Sequence, residues 1–442
     1  VEYSRGKHVF EQAGCWGCHK VLGFEPKTDP KPGQEGKPLA AAEVDRLAKV
    51  GPDLTHVADK MTPEFVSKWL ADPKHFRPHT RMPSFFGIAP GMTPGMKQRE
   101  ADEIRAITAY LFQQGASRHE TDTKAGDAAR GRTVVETVGC MACHTVQGEG
   151  ATGKKDLSKR FADFDAFGPD LGGIGSKTTA TWLFHWLKDP KHHFPQGRMP
   201  NLRLTDEEAA DASAYLMTLR NEAFEKTPGP EGSADRMRDI LREKLRSKET
   251  QAVVDYIMGE AAGPAMPAEI AVLAPAMRPA QVPKDAVPAE LGRQMVRRYG
   301  CNGCHVIPGF AEDKGIGAEL TEVGSKDLAQ VDFGFVEAFQ SRPPFSENAL
   351  RTRHAWLREK VSDPRIFDIG REKAPLDRLI MPRFSFTDED AGALTTFLMS
   401  MTKERVVLHR QEILADDRAA LERGRRLIKD ANCTACHVVG AF

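Results

Sequence analysis

The chain has 442 residues, 62 Lys plus Arg against 62 Asp plus Glu, and 40% hydrophobic residues. That length accommodates about three domains of ordinary size, each with a core of its own. The balanced charge offers no global field to a nucleic acid or an anionic membrane. The longest apolar candidate, residues 270–277, is broken by Pro275 and falls well short of the roughly eighteen residues of a membrane-spanning helix.

The sequence opens on Val1 with neither an initiator methionine nor a basic-then-apolar leader, so a removed signal or anchor is expected upstream. The first segment, RGKHVFEQAGCWGCH, has counterparts further on in RGRTVVETVGCMACH, LGRQMVRRYGCNGCH and RGRRLIKDANCTACH. In each, a glycine (Gly6, Gly131, Gly292, Gly424) stands nine residues before a cysteine, and an apolar side chain (Phe10, Val135, Val296, Ile428) follows that glycine by four. A glycine and an apolar residue one turn apart predict a helix that approaches another element closely at its glycine.

Each segment ends in Cys-x-x-Cys-His: Cys15, Cys18 and His19; Cys140, Cys143 and His144; Cys301, Cys304 and His305; Cys433, Cys436 and His437. These motifs use all 8 cysteines. The pattern is the attachment signature of c-type haem. Cysteines three apart share one side of a helical turn, where both thiols can add to the porphyrin vinyl groups, and the next residue turns its imidazole toward the iron. Two four-cysteine zinc sites would consume the same thiols but leave the four histidines without a role. Covalent attachment of haem normally takes place outside the cytoplasm, so a periplasmic or extracytoplasmic location is expected.

Downstream of the first three motifs come WLADPKHFRPHTRMP, WLKDPKHHFPQGRMP and KVSDPRIFDIGREKAPLDRLIMP. Each stops a helix at Asp-Pro and leads through a loop to Met-Pro, at Met82, Met199 and Met381. Proline cannot extend a helix and biases its predecessor toward extended backbone, so each methionine is expected on a constrained loop. A closing helix follows in READEIRAITAYLFQQ, LTDEEAADASAYLMTL and FTDEDAGALTTFLMSM, with Thr205 and Glu208, then Thr387 and Asp390, at capping-box spacing. Tyr110, Tyr215 and Phe397 hold matching places, and each ring is expected against the opening helix of its own unit.

These motifs resemble the class I, mitochondrial-type cytochrome c domain, in three complete units and the opening of a fourth. The resemblance implies an all-α fold with units at 1–117, 127–222 and 288–402, a helical and Pro-rich linker at 223–287, and a connecting helix with an incomplete fourth unit at 403–442. It implies iron ligands His19 with Met82, His144 with Met199 and His305 with Met381, with His437 as the one assigned ligand of the fourth site. In that family a proline carbonyl orients the motif histidine. Pro52 and Pro169, in two GPDL stretches, match it, whereas the third unit reads GAEL with Ala318 in that place.

Other readings of these residues stand beside that one. A methionine more often fills a core than binds iron, with Met92 and Met96 as fallbacks in the first unit. Histidine could replace it: His75 and His192 follow the Asp-Pro pairs, with His79 and His193 nearby. The third loop, 364–381, has no histidine, which leaves methionine as the ligand type common to all three. GGIGSK at 172–177 follows no predicted strand, which argues against a phosphate loop.

Between the units, residues 233–260 read as a charged helical segment with Met237, Ile240, Leu241 and Leu245 at helical intervals. Residues 263–288 carry six prolines and are expected as an extended strap, either packed or disordered. The fourth motif has neither a Met loop nor a closing helix, so the natural protein is expected to continue. Otherwise a partner chain, His354 or His409 completes that site, or its iron stays open.

An iron held by two protein ligands has no vacant position, and a thioether opposite histidine raises its potential. The expected function is therefore a multihaem c-type cytochrome, with four covalent haem c groups, that relays single electrons between redox protein partners as a subunit of a membrane respiratory complex. The alternatives are a peroxidase-like enzyme that uses an open fourth haem, and a cytochrome filament.

Overall fold

The computed structural model describes residues 2–22, 24, 49–78, 80–118, 120–121, 123–146, 168–195, 197, 199–260, 266–335, 352–403 and 416–430. Among these the protein is all-α: helices and loops with no strand, and an isolated bridge between Ser84 and Arg383. The fourth motif, with Cys433, Cys436 and His437, lies outside the described residues, as do His79 and His409.

Threonines set where the helices start, because their hydroxyls take up backbone N–H groups that have no partner inside the helix. Thr62 accepts from Phe65 N–H ahead of the helix Pro63–Ala71, Thr179 from Trp182 ahead of Ala180–Lys188, and Thr352 from Ala355 ahead of Arg353–Ser362. The closing helices Pro94–Gln114, Asp206–Thr218 and Asp388–Met399 are capped by Thr93, Thr205 and Thr387, with the full reciprocal capping box at Thr205 and Glu208.

The opening helices Glu2–Ala13, Ala128–Thr137 and Val287–Tyr299 cross the closing helices at their glycines. A Cβ at Gly131 would lie 1.8 Å from the Asp211 carbonyl oxygen, so the second unit closes on itself as expected. The other two do not. A Cβ at Gly6 would lie 2.0 Å from the Ala393 oxygen and 2.7 Å from Phe397 Cβ, while one at Gly292 would lie 2.0 Å from the Ala106 oxygen and 2.7 Å from Tyr110 Cβ. The expected glycine-to-aromatic contacts are both present, with partners traded between units one and three.

The trade includes the motifs. Residues 2–22 pack with 318–335 and 352–403, in a core that joins Val9, Phe10 and Trp16 to Leu357, Leu394 and Phe397. Residues 50–117 pack with 287–316, in a core that joins Phe65, Ile107 and Leu111 to Leu291, Val296 and Phe310. We call these the Met381 body and the Met82 body, after the methionine in each, and residues 127–222 the Met199 body. The backbone links are symmetric: Gly317 and Leu320 donate to the Cys18 and Lys20 carbonyls, as Gly51 and Leu54 donate to those of Cys304 and Val306.

Polar pairing across the crossings explains the trade. Arg5, just before Gly6, reaches Glu389 and the fully buried Asp390. The residue before Gly292 is Leu291, also fully buried. On its own unit's closing helix, Leu291 would stand in Arg5's place and leave Asp390 as a buried carboxylate without its cation, a penalty of about 3–5 kcal/mol. In its actual place the third opening helix instead brings Tyr299 to donate to Glu103 at 2.5 Å.

The linker is structural. Its helix Ala234–Arg246 buries Met237, Ile240 and Leu241 in the Met82 body, and Arg236 grips the buried Asp102 of the closing helix at 2.7 and 3.1 Å. The described part of the Pro-rich strap is packed as well, with Ile270 against Val253 and Ile257, and Val282 N–H on the Ile257 carbonyl.

The exchange can be read in solution by zero-length carbodiimide coupling. Lys20 Nζ lies 3.3 Å from the Glu319 carboxylate, whereas consecutive closure would put it beside Asp53, the matching position in GPDL. Peptide mapping of the monomeric protein is expected to show Lys20 joined to Glu319. A Lys20–Asp53 link in its place would refute the exchange.

Candidate haem sites

Each described motif is a short turn at the end of an opening helix, Cys15–Cys18, Cys140–Ala142 and Cys301–Cys304, and the backbone is extended at His19 and His305. The cysteines and histidines of these motifs are half-buried. Burial pushes Cys15 up to about 12, Cys18 to about 11 and Cys301 to about 12, and raises Cys140 and Cys304 as well. These are apolar positions, suited to neutral sulfur rather than to thiolates that clasp a metal ion; no cluster of three or more His, Cys, Asp or Glu suited to a metal ion occurs among the described residues.

All three motif histidines are held alike. His144 Nδ1 lies 2.8 Å from the Pro169 carbonyl oxygen, His305 Nδ1 2.8 Å from that of Pro52, and His19 Nδ1 2.8 Å from that of Ala318. A carbonyl only accepts, so Nδ1 carries the proton and donates, which makes Nε2 the lone-pair nitrogen of the ring. Burial, acting first, lowers the pKa values of His19 and His305 and keeps those rings neutral. Proline is not required for this contact, since the Ala318 carbonyl serves at the same distance. Pro52 differs from its expected role: it orients His305, not His19.

The glycine before each of these carbonyls makes the close approach possible. A Cβ at Gly168 would sit 2.4 Å from His144 Nδ1, at Gly51 2.4 Å from His305 Cε1, and at Gly317 2.4 Å from His19 Nδ1. The glycine, present in both GPDL stretches and in GAEL, marks this contact better than the proline does.

The methionines follow two patterns. Trp69 Nε1 donates to Met82 Sδ at 2.9 Å, and Trp186 Nε1 to Met199 Sδ at 3.0 Å. Both tryptophans stand three residues before Asp-Pro. In the third unit that register holds Lys360, which donates to the Pro364 carbonyl and which burial pushes down to about 8. Arg365, itself buried, reaches the Met381 carbonyl at 3.4 Å and ties this loop to the Phe85 carbonyl at 2.7 Å.

The expected pairs join each of the first three motif histidines to the methionine of its own unit. The structure keeps His144 and Met199 in one body but sets His19 with Met381, and His305 with Met82. Of the alternative histidines, His75 Nε2 meets Thr227 and its ring packs on Phe224, while His192 pairs with Arg118 and His193 packs against Trp182 and Trp186.

The donor set fits covalent haem: two cysteines three apart, an imidazole that donates through Nδ1 to a backbone carbonyl, and a methionine thioether in the same body. Helical bodies with this constellation define the c-type cytochrome class. Residues 3–114 and 128–220 each match the family model described as Cytochrome c, so the chain contains tandem cytochrome c domains. It is a haem-based electron-transfer protein. No curated protein and no solved structure matches the chain. The first matched stretch is continuous in sequence but divided in space between the Met381 and Met82 bodies.

The histidine cradle is tested by Gly168→Ala. The added methyl has no room beside His144, so a loss of about 1–3 kcal/mol in stability is expected, together with a perturbed low-spin spectrum of one haem. Gly95→Ala, where a Cβ meets nothing within 4 Å, should leave the spectrum unchanged. An unaltered spectrum in Gly168→Ala would contradict the cradle.

Proposed function

We propose that this protein is a multihaem relay that passes single electrons between redox protein partners, with haem c at four motifs. The proposed ligand pairs are His19 with Met381, His305 with Met82 and His144 with Met199, with His437 in the fourth site. When bound, haem c supplies the one-electron chemistry. The residues of the chain would hold it through the two cysteine sulfurs of a motif, with the histidine oriented by its Nδ1–H contact and the methionine sulfur as second ligand, a combination that favours a raised potential.

The observation that carries this reading is the threefold repetition of the 2.8 Å histidine-to-carbonyl contact in bodies that each contribute one Met-Pro methionine. Ligation by two residues favours transfer over catalysis, because a peroxidase-like reaction needs an open iron. The proposed setting is extracytoplasmic, in line with covalent haem attachment, with a membrane respiratory complex as partner. No helix among the described residues is long and apolar enough to cross a membrane.

The ligand pairs are tested by combining substitutions. Met82→Ala is expected to remove one site's share of the methionine-sulfur band in the ferric protein. That change should vanish when Cys301 and Cys304 are first replaced by Ser, and persist when Cys15 and Cys18 are replaced. The reverse dependence would assign Met82 to the first motif.

A further inference from the structure

The motif sites follow a different order in space from their order in the chain. The Met82 and Met381 bodies meet at their attachment motifs. A Cβ at Gly17 would lie 2.1 Å from the Gly303 oxygen, and one at Gly303 would lie 2.6 Å from the Gly17 oxygen. Cys18 Sγ lies 3.7 Å from the Gly300 carbonyl. The ligand loops meet too: Ser84 and Arg383, each two residues after its methionine, exchange backbone hydrogen bonds at 2.9 Å.

The Met82 body also receives the second unit. Phe224, just beyond the closing helix of that unit, packs on Phe65 and Phe76 with ring centroids 5.3 and 4.9 Å apart. Lys60 of the Met82 body sits 4.1 Å from the Trp182 ring and 5.7 Å from that of Trp186, and Lys177 of the second unit sits 6.0 Å from the Trp69 ring. Trp69 and Trp186 are the donors to Met82 and Met199. Each lysine therefore lies over the indole that touches the other unit's methionine, and the two candidate sites face one another through four side chains.

Arg77 joins this junction by donating to the Asp170 carbonyl at 3.3 Å. Burial, aided by repulsion from Arg77, pushes Lys60 down to about 8, and burial with repulsion from Lys60 and Arg77 pushes Lys177 well below its usual range. Gathering three cations in a half-buried seam is unfavourable by itself. Porphyrin carboxylates, which the sites' own cofactor would bring, are anions of the kind that would offset it.

We propose that the site of the third motif, built from Cys301, Cys304 and His305 on the Met82 body, is the middle link of the three described sites. An electron that moves between the first and second motifs then passes by way of the third. With haem c bound, such a step would oxidise one ferrous site and reduce its ferric neighbour, so it would balance with no bond formed or broken and no proton or co-reactant needed. The exchange of opening helices decides this, because with consecutive closure the Met82 body would carry the first motif and that motif would be central. The inference rests on the electron-transfer reading above.

The test uses the full chain with haems removed pairwise by Cys→Ser at one motif, and reads magnetic coupling between the remaining ferric haems. Loss of the third-motif haem (Cys301→Ser with Cys304→Ser) is expected to abolish coupling between the first and second. Loss of the first (Cys15→Ser with Cys18→Ser) should leave the second and third coupled. Persistent first-to-second coupling, or decoupling on loss of the first, overturns the order. Met82→His, which keeps the iron six-coordinate and lowers that site's potential, guards against misfolding: it should slow electron equilibration between the two end sites after photoreduction. Unchanged equilibration also overturns the order. Failure of the native protein to hold haem or to take up single electrons would instead defeat the underlying reading.

Discussion

The structure depends on one kind of contact, an opening helix laid directly on a closing helix with no side chain between them at a glycine. At Gly6, Gly131 and Gly292 the opposing group is a backbone carbonyl, so each crossing is fixed to within a fraction of a side chain. That crossing aims the following turn, hence two cysteines and a histidine, at the loop that carries the histidine's carbonyl partner. The glycine contact itself does not choose among partners, since all three closing helices offer an equivalent carbonyl.

The choice is made by polar groups beside the crossing. Asp390 is fully buried and needs a cation, which Arg5 supplies and Leu291 could not. Asp211 in the second unit is met by Arg130 in the same register, and that unit closes on itself. Asp102 of the Met82 body takes its arginine from the linker helix, which frees the opening helix at that crossing to be apolar. A carboxylate buried in each closing helix, and the different origin of each arginine, thus turn three similar units into an exchanged pair and a single.

The exchange changes what tandem repetition achieves. Consecutive units would be joined only by linkers, and their relative placement would depend on surface contacts. Here the first and third units cannot be separated without breaking both cores, so their attachment motifs and Met loops are held in fixed register. The linker helix and Phe224 then fasten the second unit to the same assembly. For single-electron transfer this rigidity fixes the spacing between sites without any moving part.

The sequence by itself determined the chemistry of each site: the Cys-x-x-Cys-His motifs, the Met-Pro loops, the helix-starting threonines and the glycine crossings are all local patterns, and each implies its own geometry within a few residues. It also held an unread clue to the pairing. The residue before the second cysteine is glycine in the first and third motifs, at Gly17 and Gly303, but alanine in the second and fourth, at Ala142 and Ala435, and only glycines allow two motif turns to touch. What only the tertiary structure decided is which histidine stands with which methionine, and which site lies between the others. Repeated units present nearly interchangeable surfaces, so the selection rests on a few buried charges whose partners lie hundreds of residues away.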